Sequence, residues 1–295
     1  MAKINIQFTL FSAFYSPLIS TMSGGFLQAE GLEPDWSVSP PGKSAIEALE
    51  DGSAHVVQSA LSQGFGPLEK GAEPTCVHFA QVNEMDGFFI TTREPDPDFT
   101  WKKLEGAEVV AFGGGQPLAM FKYGCHKAGI DYDKIKPINP GGAGAIDKAF
   151  RDGQGAYVQQ QGPYPQQLEA DGVGHVVAQV GPKVGPCGFS SLAAKREWLE
   201  TDMARAFMRA YRKTRDYMND TPAAEIAKAE KPYFPDIDED VLAKCIGTYQ
   251  KLGCWTRHPE ITQEAYAATL DIYEYNGLIT KRHPYDKICA LPPSN

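Results

Sequence analysis

Groups suited to hold a small molecule stand in short segments that directly follow predicted strands. The first segment covers residues 11–16 and offers aromatic faces for a planar or apolar ligand, with hydroxyl groups for its polar rim. As an alternative, the phenylalanines of this segment pack beneath the helix that follows. The candidate ligand-binding residues here are Phe11, Phe14, Tyr15 and Ser16.

A run of three glycines forms the second segment, between a predicted strand and a predicted helix. Gly114 and Gly115 permit close backbone approach. The free amides at the helix start, with Gln116 beside them, could hold a carboxylate, a sulfonate or a phosphate. The run lacks the lysine and hydroxyl residue of a nucleotide-binding loop, so a plain tight turn is the alternative. Lys43, at another predicted helix start, is the cation that would pair with such an anion.

Glutamines end two equivalent predicted strands. One strand ends in Gln58 and Ser59, and the other in the run Gln159, Gln160 and Gln161. A buried amide without partners is costly, so this placement favours a neutral ligand that forms hydrogen bonds, with solvated loop residues as the alternative. Cys187, near a predicted crossing between lobes, is a further candidate, for which inert packing is the alternative.

No spacing in the chain demands catalysis or a metal. The six histidines form no set of paired ligands, and neither a C-x-x-C pair nor a G-x-S-x-G motif occurs. We therefore assign no catalytic residue, metal or cofactor. The cysteines are expected to be reduced and mostly buried, and they are Cys76, Cys125, Cys187, Cys245, Cys254 and Cys289.

An internal repeat predicts the elements that position these residues. The sequence of residues 47–52 is similar to that of residues 148–153. The similarity continues to Gln58, which matches Gln159, at a constant offset of 101 residues. This period is far longer than that of solenoid repeats, so it indicates two similar lobes with a cleft between them. Small ligands usually bind in such a cleft.

Within each half, strands alternate with helices, which predicts an α/β fold with mostly parallel sheets covered on both faces. Strands are predicted at residues 4–10, 36–39, 55–58, 108–112 and 156–159. Helices are predicted at residues 17–29, 44–52, 117–127 and 145–151, with a turn at residues 40–43. C-terminal helices with a structural role are predicted at residues 198–218, 223–229, 238–252 and 262–275.

Two apolar segments, at residues 77–92 and 184–192, are predicted to cross between the lobes as a hinge. We therefore expect residues 1–90 to begin the first lobe and residues 91–188 to form the second. Residues 189–295 are expected to return to the first lobe and to add the C-terminal helices.

The composition argues against several kinds of partner. The chain has 295 residues, a net charge of −9 and no basic cluster longer than Lys195-Arg196, so a nucleic-acid surface is not expected. No apolar run approaches the length of a membrane span. The expected partner is a small-molecule ligand. Because a predicted strand begins the sequence, the chain as written is expected in the cytoplasm, or in the periplasm if a leader was removed.

Four segments carry a family resemblance. Residues 24–32 resemble a G-F-F-x-x-E-G-L element, residues 50–56 resemble an x-x-G-x-x-D-V element, and residues 128–131 and 271–279 fit the same pattern. The chain thus resembles the type II periplasmic-binding-protein superfamily, in the branch of the sulfonate, taurine and nitrate receptors and the fungal thiamine-pyrimidine synthase. The resemblance covers most of the chain. It implies two lobes that close over a ligand by hinge motion, usually with an ATP-driven importer permease as partner.

The sequence departs from that branch at positions that matter for chemistry. His55 replaces the acidic residue usual in the strand motif. The fungal synthase has a lysine that binds pyridoxal phosphate and a sacrificial histidine, and the matching positions here hold Ser59 and Gln63. Its iron-binding cysteine run is reduced to Cys187. The resemblance therefore implies that this self-consuming chemistry does not operate here.

The first functional hypothesis is a binding protein without catalysis that closes over a small organic anion or a heterocycle resembling the thiamine pyrimidine. The second is a cytosolic enzyme on the same scaffold, such as a decarboxylase or lyase acting on an aromatic or heterocyclic acid. A regulatory pair of lobes ranks third, because no DNA-binding segment is predicted.

Overall fold

The computed structural model describes residues 1–40 and 42–294, so Pro41 of the predicted turn lies outside the described residues. The strands are β1 (Ala2–Phe8), β2 (Leu32–Val38), β3 (Val56–Ser59), β4 (Val77–Asn83), β5 (Phe88–Thr92), β6 (Glu108–Val110), β7 (Lys136–Ile138), β8 (Tyr157–Gln161), β9 (His175–Gln179) and β10 (Ser190–Ala194). The helices are α1 (Ser16–Ser23), α2 (Phe26–Ala29), α3 (Ala45–Glu50), α4 (Ser62–Glu69), α5 (Gly115–Lys127), α6 (Ala143–Arg151), α7 (Tyr164–Ala170), α8 (Gly181–Val184), α9 (Asp202–Asp220), α10 (Ala223–Glu230), α11 (Glu239–Leu252), α12 (Gln263–Tyr275) and α13 (Tyr285–Ile288).

The strands form two separate five-stranded sheets. The first has the order β2-β1-β3-β10-β4 and the second the order β7-β6-β8-β5-β9. Within each sheet one strand, β10 in the first and β5 in the second, is antiparallel to both of its neighbours. In the first sheet, β1 runs parallel to its neighbours β2 and β3. In the second sheet, β6 likewise runs parallel to its neighbours β7 and β8. Two mixed sheets flanked by helices confirm the predicted two-lobe α/β fold class, and each sheet has two parallel and two antiparallel pairings.

The sequence repeat corresponds to a structural repeat. The unit α3–β3 matches α6–β8, and β1 with its following helix matches β6 with α5. The two sheet orders also agree strand by strand, including the position of the antiparallel strand. Each half therefore places the carboxyl ends of its parallel strands at one edge of its sheet.

The chain passes between the sheets twice. It leaves the first sheet after Asn83 and enters the second at Phe88, and it leaves the second after Gln179 and re-enters the first at Ser190. The first passage lies within the predicted segment 77–92, and the second, at residues 180–189, overlaps the predicted segment 184–192 but begins four residues before it. The domain boundaries placed at residues 90 and 188 stay a prediction, and β5 as a whole pairs in the second sheet.

Local signals explain how the first helices begin and end. The single helix predicted over residues 17–29 is two helices, because Gly25 adopts a left-handed backbone with φ of 73° that a continuous helix does not allow. The predicted capping box at the start of α3 is present: Ser44 Oγ accepts from the Ile46 amide, and Glu47 accepts from the Ser44 amide, both at 3.2 Å.

Of the C-terminal helices, α9 and α10 pack on the first lobe, whereas α11 and α12 also contact α7 and α5 of the second. Helix α9 lies along α1 and α2, and its buried side includes Phe207 and Met218. Arg215 is fully buried in the same helix and donates to the backbone oxygens of Val82 and Thr256 at 2.7 and 2.6 Å. Buried charge is tolerated only with such partners, so Arg215 fixes α9 against β4.

All six cysteines are buried and unpaired, as expected from the sequence. Among the described residues, no helix combines the length and the apolar character needed to cross a bilayer.

A buried carboxyl group joins α10 to α1. Glu230 is fully buried, and its two oxygens accept from the hydroxyls of Ser16 and Ser20 at 2.7 and 2.6 Å. Burial raises the pKa of Glu230 to about 8, although the two serine hydrogen bonds act in the opposite direction. The folded chain therefore keeps this carboxyl protonated at pH values where the unfolded chain has lost the proton.

We expect Glu230 to make folding less favourable as the pH rises. Between the ordinary glutamate pKa near 4.5 and the folded value near 8, the free energy of unfolding falls by up to about 1.4 kcal/mol per pH unit because of this group. Glu230→Gln, which stays neutral, should gain stability relative to the parent chain from pH 5 to pH 8 in urea titrations.

The exposed Glu225→Gln on the same helix is the matched control for this experiment. Asp86, whose pKa burial also raises, to about 7, is present in every variant and cancels in the comparison. An equal pH dependence for Glu230→Gln and Glu225→Gln would contradict the assignment.

Candidate ligand-binding cleft

A cavity of about 720 Å³ lies between the two sheets. It is lined from the first lobe by the segments after β1 and β3, from the second lobe by the segments after β6 and β8, and on a third side by α12. The lining groups therefore come from the carboxyl ends of parallel strands, where α/β proteins usually bind their ligands.

Gln58 lies on the cavity wall with both its amide oxygen and its amide nitrogen hydrogen-bonded within the protein. Its Oε1 accepts from the backbone amides of Thr9 and Leu10 at 3.1 and 3.4 Å, and its Nε2 donates to Ser190 Oγ at 2.7 Å. These bonds hold the segment after β1 and the first residue of β10 at the cavity edge. Gln58 was predicted to bind the ligand directly, and its geometry suits a positioning role.

Other polar groups of the wall have no partner. Ser59 Oγ and Gln161 Oε1 are buried without a hydrogen bond. The Gln161 amide nitrogen lies 3.5 Å from the Tyr15 hydroxyl, and burial raises the pKa of Tyr15 to about 12, so this phenol is neutral at physiological pH. Unpaired buried groups are costly, so they are available to bind a polar ligand edge.

The second lobe contributes the amino end of a long helix. Gly114 caps α5, Gly115 has a left-handed φ of 66°, and no side chain caps the first amides of this 13-residue helix. The amino end of a helix carries partial positive charge. Lys122 lies on the same helix and, among the described residues that line the cavity, it is the one charged side chain. Its Nζ lies 5.0 Å from the centroid of the Tyr132 ring.

Sequence analysis missed several lining residues. Gly115, Leu118, Ala119 and Lys122 follow the i, i+3, i+4, i+7 spacing of one helix face, so extending the glycine segment along that face would have found Lys122. Tyr273, Asn276 and Leu278 come from the C-terminal region, and no local signal relates them to the cavity.

The remaining aromatic candidates and Ser16 lie outside the cavity lining. Phe11 stacks on Trp36 with ring centroids 4.8 Å apart. Phe14 is fully buried against Tyr249, as in the packing alternative. Ser16 faces the core and bonds to Glu230.

Four further candidates also lie outside it. Lys43 is exposed, and Cys187 is fully buried, with a pKa raised by burial. Gln160 Nε2 is 3.3 Å from Asp147 Oδ1, on the face of the sheet that carries α6. Gln159 is fully buried within the sheet, because β8 continues past it to Gln161. Alternation along the strand gives Gln159 and Gln161 the same face, and Gln161 reaches the cavity.

The hinge consists of two chain segments held side by side. The Cys187 amide donates to Glu84 O at 2.8 Å, and the Phe189 amide donates to Asn83 O at 3.2 Å. Tyr249 of α11 donates from its hydroxyl to Gly87 O at 3.0 Å and accepts from the Gly162 amide at 2.8 Å. The link between the lobes is therefore supported from the C-terminal helices.

Two α/β lobes, a double crossing and an interlobe cavity define a periplasmic-binding-protein type of fold. The chain belongs to the NMT1/THI5-like family, whose profile matches residues 14–225. This result confirms the resemblance seen in the sequence.

Individual relatives agree over nearly the whole chain. "Putative binding protein YtlA" of Bacillus subtilis (strain 168) is 28% identical over 98% of this chain and 87% of its own length. The alkanesulfonate-binding protein SsuA of Xanthomonas axonopodis pv. citri, bound to MOPS, superposes with a TM-score of 0.74 at 16% identity over 99% of each chain. The ligand-binding component of an ABC-type import system from Staphylococcus aureus gives 0.76 at 14% identity, over 99% of this chain and 97% of its own.

The role of Gln58 predicts the effect of its removal. Gln58→Ala removes the side-chain acceptor of two backbone amides and a donor to the Ser190 hydroxyl. One of these amides and the Ser190 hydroxyl keep a backbone oxygen as a second partner, so the free energy of unfolding should fall by about 1–3 kcal/mol. Gln63→Ala, at an exposed glutamine of the same cavity, should change it by less than about 0.5 kcal/mol. Chemical denaturation measures both, and equal stability of the two variants would contradict a positioning role.

Proposed function

We propose that this chain is a solute-binding protein that closes its two lobes over a small organic anion or a heterocycle resembling the thiamine pyrimidine. One observation supports this proposal most directly. The interlobe cavity brings together the uncapped amino end of a helix and buried polar groups that have no hydrogen-bond partner. Such a cavity is complementary to a ligand with at least one polar or charged end.

The electrostatics of the cavity favour an anionic group. The amino end of α5 acts as roughly half a positive charge, and Lys122 adds a full one. No carboxylate belongs to the described part of the lining. The whole chain has a net charge of −9, so this region is locally positive on an acidic protein.

The rest of the lining favours an organic ligand over a bare inorganic ion. Phe65, Phe112 and Phe189 present rings to the cavity, and Leu10 adds a further apolar side chain. Burial of an apolar ligand body contributes about 25 cal/mol per Å² removed from water. Ser59 and Gln161 can then bind a polar edge such as the ring nitrogens and amino group of a pyrimidine.

The names of similar proteins support this assignment. YtlA is named as a binding protein, SsuA as an alkanesulfonate-binding protein, and the Staphylococcus aureus protein as part of an import system. By the same reasoning, we assign an ATP-driven importer permease as partner wherever the chain is exported to the periplasm. The proposed ligand-binding residues that line the cavity are Tyr15, Gln58, Ser59, Gly114, Gly115 and Gln116, with Gln161 from the predicted glutamine run and with Lys122 added by the structure.

A thermal-shift screen tests the proposal. Suitable probes are alkanesulfonates of increasing chain length, aromatic carboxylates and aminopyrimidines, with quaternary amines of equal size as charge controls. A ligand at a hundredfold excess over its dissociation constant should stabilise the chain by about 2.7 kcal/mol and raise the melting temperature. Failure of every anion and pyrimidine to do so would refute the proposal.

Charge variants separate the two ligand classes. Lys122→Met should weaken an anionic ligand about tenfold, because it removes the charged side chain of the lining. Lys127→Met, at an exposed position of the same helix outside the lining, should leave affinity unchanged. If an aminopyrimidine binds the parent chain and Lys122→Met with equal affinity, the result instead favours a heterocycle as the ligand.

A further inference from the structure

Helix α12 lies between the two lobes. On one side, Tyr266 and Tyr273 pack on Phe65 of α4, which follows β3 of the first sheet. On the other side, the helix packs against α5, which follows β6 of the second sheet. Its last turn and the residues just after it face the cavity through Tyr273, Asn276 and Leu278. A helix outside the internal repeat thus contacts both halves of the repeat.

The contact with the first lobe is apolar and buried. The Tyr273 ring meets Phe65 edge-on with centroids 5.2 Å apart, and Tyr266 packs on the same phenylalanine at 6.3 Å. All three side chains are buried. Beyond the helix, Glu69 at the end of α4 accepts from Thr280 Oγ1 at 2.7 Å and lies 2.7 Å from His283 Nε2.

The contact with α5 is different in kind. Tyr275, about half exposed, stacks on the His126 ring with centroids 4.4 Å apart. Asn276 Nδ2 donates to Ala119 O at 3.1 Å, and the Tyr273 hydroxyl lies 3.4 Å from Gln116 Oε1. We call this set the α5–α12 seam.

The two contacts differ in strength. Buried aromatic packing contributes the larger stabilisation, whereas hydrogen bonds and ring contacts at a half-exposed surface are partly replaced by water when they break. If the lobes separate, α12 should therefore remain on the first lobe, and the separation should occur along the α5–α12 seam. Regions that open are generally those with the fewest buried apolar contacts.

We propose that the α5–α12 seam is a latch that holds the two lobes closed. Gln116 places the latch beside the amino end of α5, since its Nε2 donates to Phe189 O at 2.5 Å while its Oε1 faces Tyr273. Closing the latch brings α5 to α12 at the back of the cavity. The latch acts in the chain without ligand, so this proposal does not depend on which ligand the protein binds.

A latch of this kind sets the fraction of chains that are closed and ready to bind. The apparent affinity of any ligand that binds the closed form falls in proportion to that fraction. Loss of one aromatic pair is expected to lower the ratio of closed to open chains about fivefold. Tyr275 and His126 lie outside the cavity lining, so substituting them changes closure without removing a ligand contact.

Distance measurement between the lobes in the chain without ligand tests the latch. Glu33→Cys on β2 and Lys136→Cys on β7 place spin labels on equivalent exposed edge strands, and the native cysteines are buried and will label poorly. Pulsed electron resonance should give one dominant distance in this labelled chain. Adding Tyr275→Ala, or His126→Ala from the other side, should produce a second, longer population.

Tyr233→Ala is the matched control, because it removes an aromatic contact with Trp36 within the first lobe. It should leave the distance distribution unchanged. Near-ultraviolet circular dichroism verifies folding, and His126→Ala changes an exposed helix position if Tyr275→Ala proves unstable. A distribution identical to the labelled parent in both seam variants would overturn the latch, whatever the outcome of the ligand screen.

Discussion

The shortness of the link between β4 and β5 governs the whole arrangement. Four residues, Glu84–Gly87, join a strand of the first sheet to a strand of the second, and four residues span about 14 Å at most. The return segment runs alongside this link and is bonded to it at Glu84 and Asn83. The edge of the first sheet where β4 ends must therefore lie close to the edge of the second sheet where β5 begins. Because these edges carry the carboxyl ends of the parallel strands, a cavity between them is the unavoidable result.

Polar groups at this edge divide into two kinds, and the division explains the chemistry of the cavity. Gln58 forms hydrogen bonds within the protein through both its amide oxygen and its amide nitrogen, and so gives the wall its shape. Ser59 and Gln161 keep atoms without partners inside the folded chain. An unpaired buried polar atom costs roughly 1–3 kcal/mol, a cost that a ligand with matching donors and acceptors removes. In the binding function proposed above, this cost favours an occupied cleft over an empty one.

Local patterns predicted the elements well and the side-chain contacts less well. The repeat of residues 47–52 in residues 148–153 was sufficient for two lobes, since both copies form the same helix and strand. The capping box at Ser44 and the glycine start of α5 were correct because each depends on neighbouring residues. The strand predicted at residues 156–159 extends to Gln161, because strand length depends on pairing with β5. Contacts made by Tyr273 depend on how distant helices pack, and no local pattern encodes that.

The position of β10 in the first sheet restricts how the protein can be assembled. Strand β10 (Ser190–Ala194) lies between β3 and β4, which are separated by it and do not pair with each other. During synthesis, the sheet of the first lobe therefore remains incomplete until all the strands of the second lobe have been synthesised. Fragments that end before residue 190 would leave two unsatisfied strand edges, a recognised hazard for aggregation. Separate expression of the amino-terminal lobe alone is thus ruled out by topology, and any split version of this protein must carry its final third in trans.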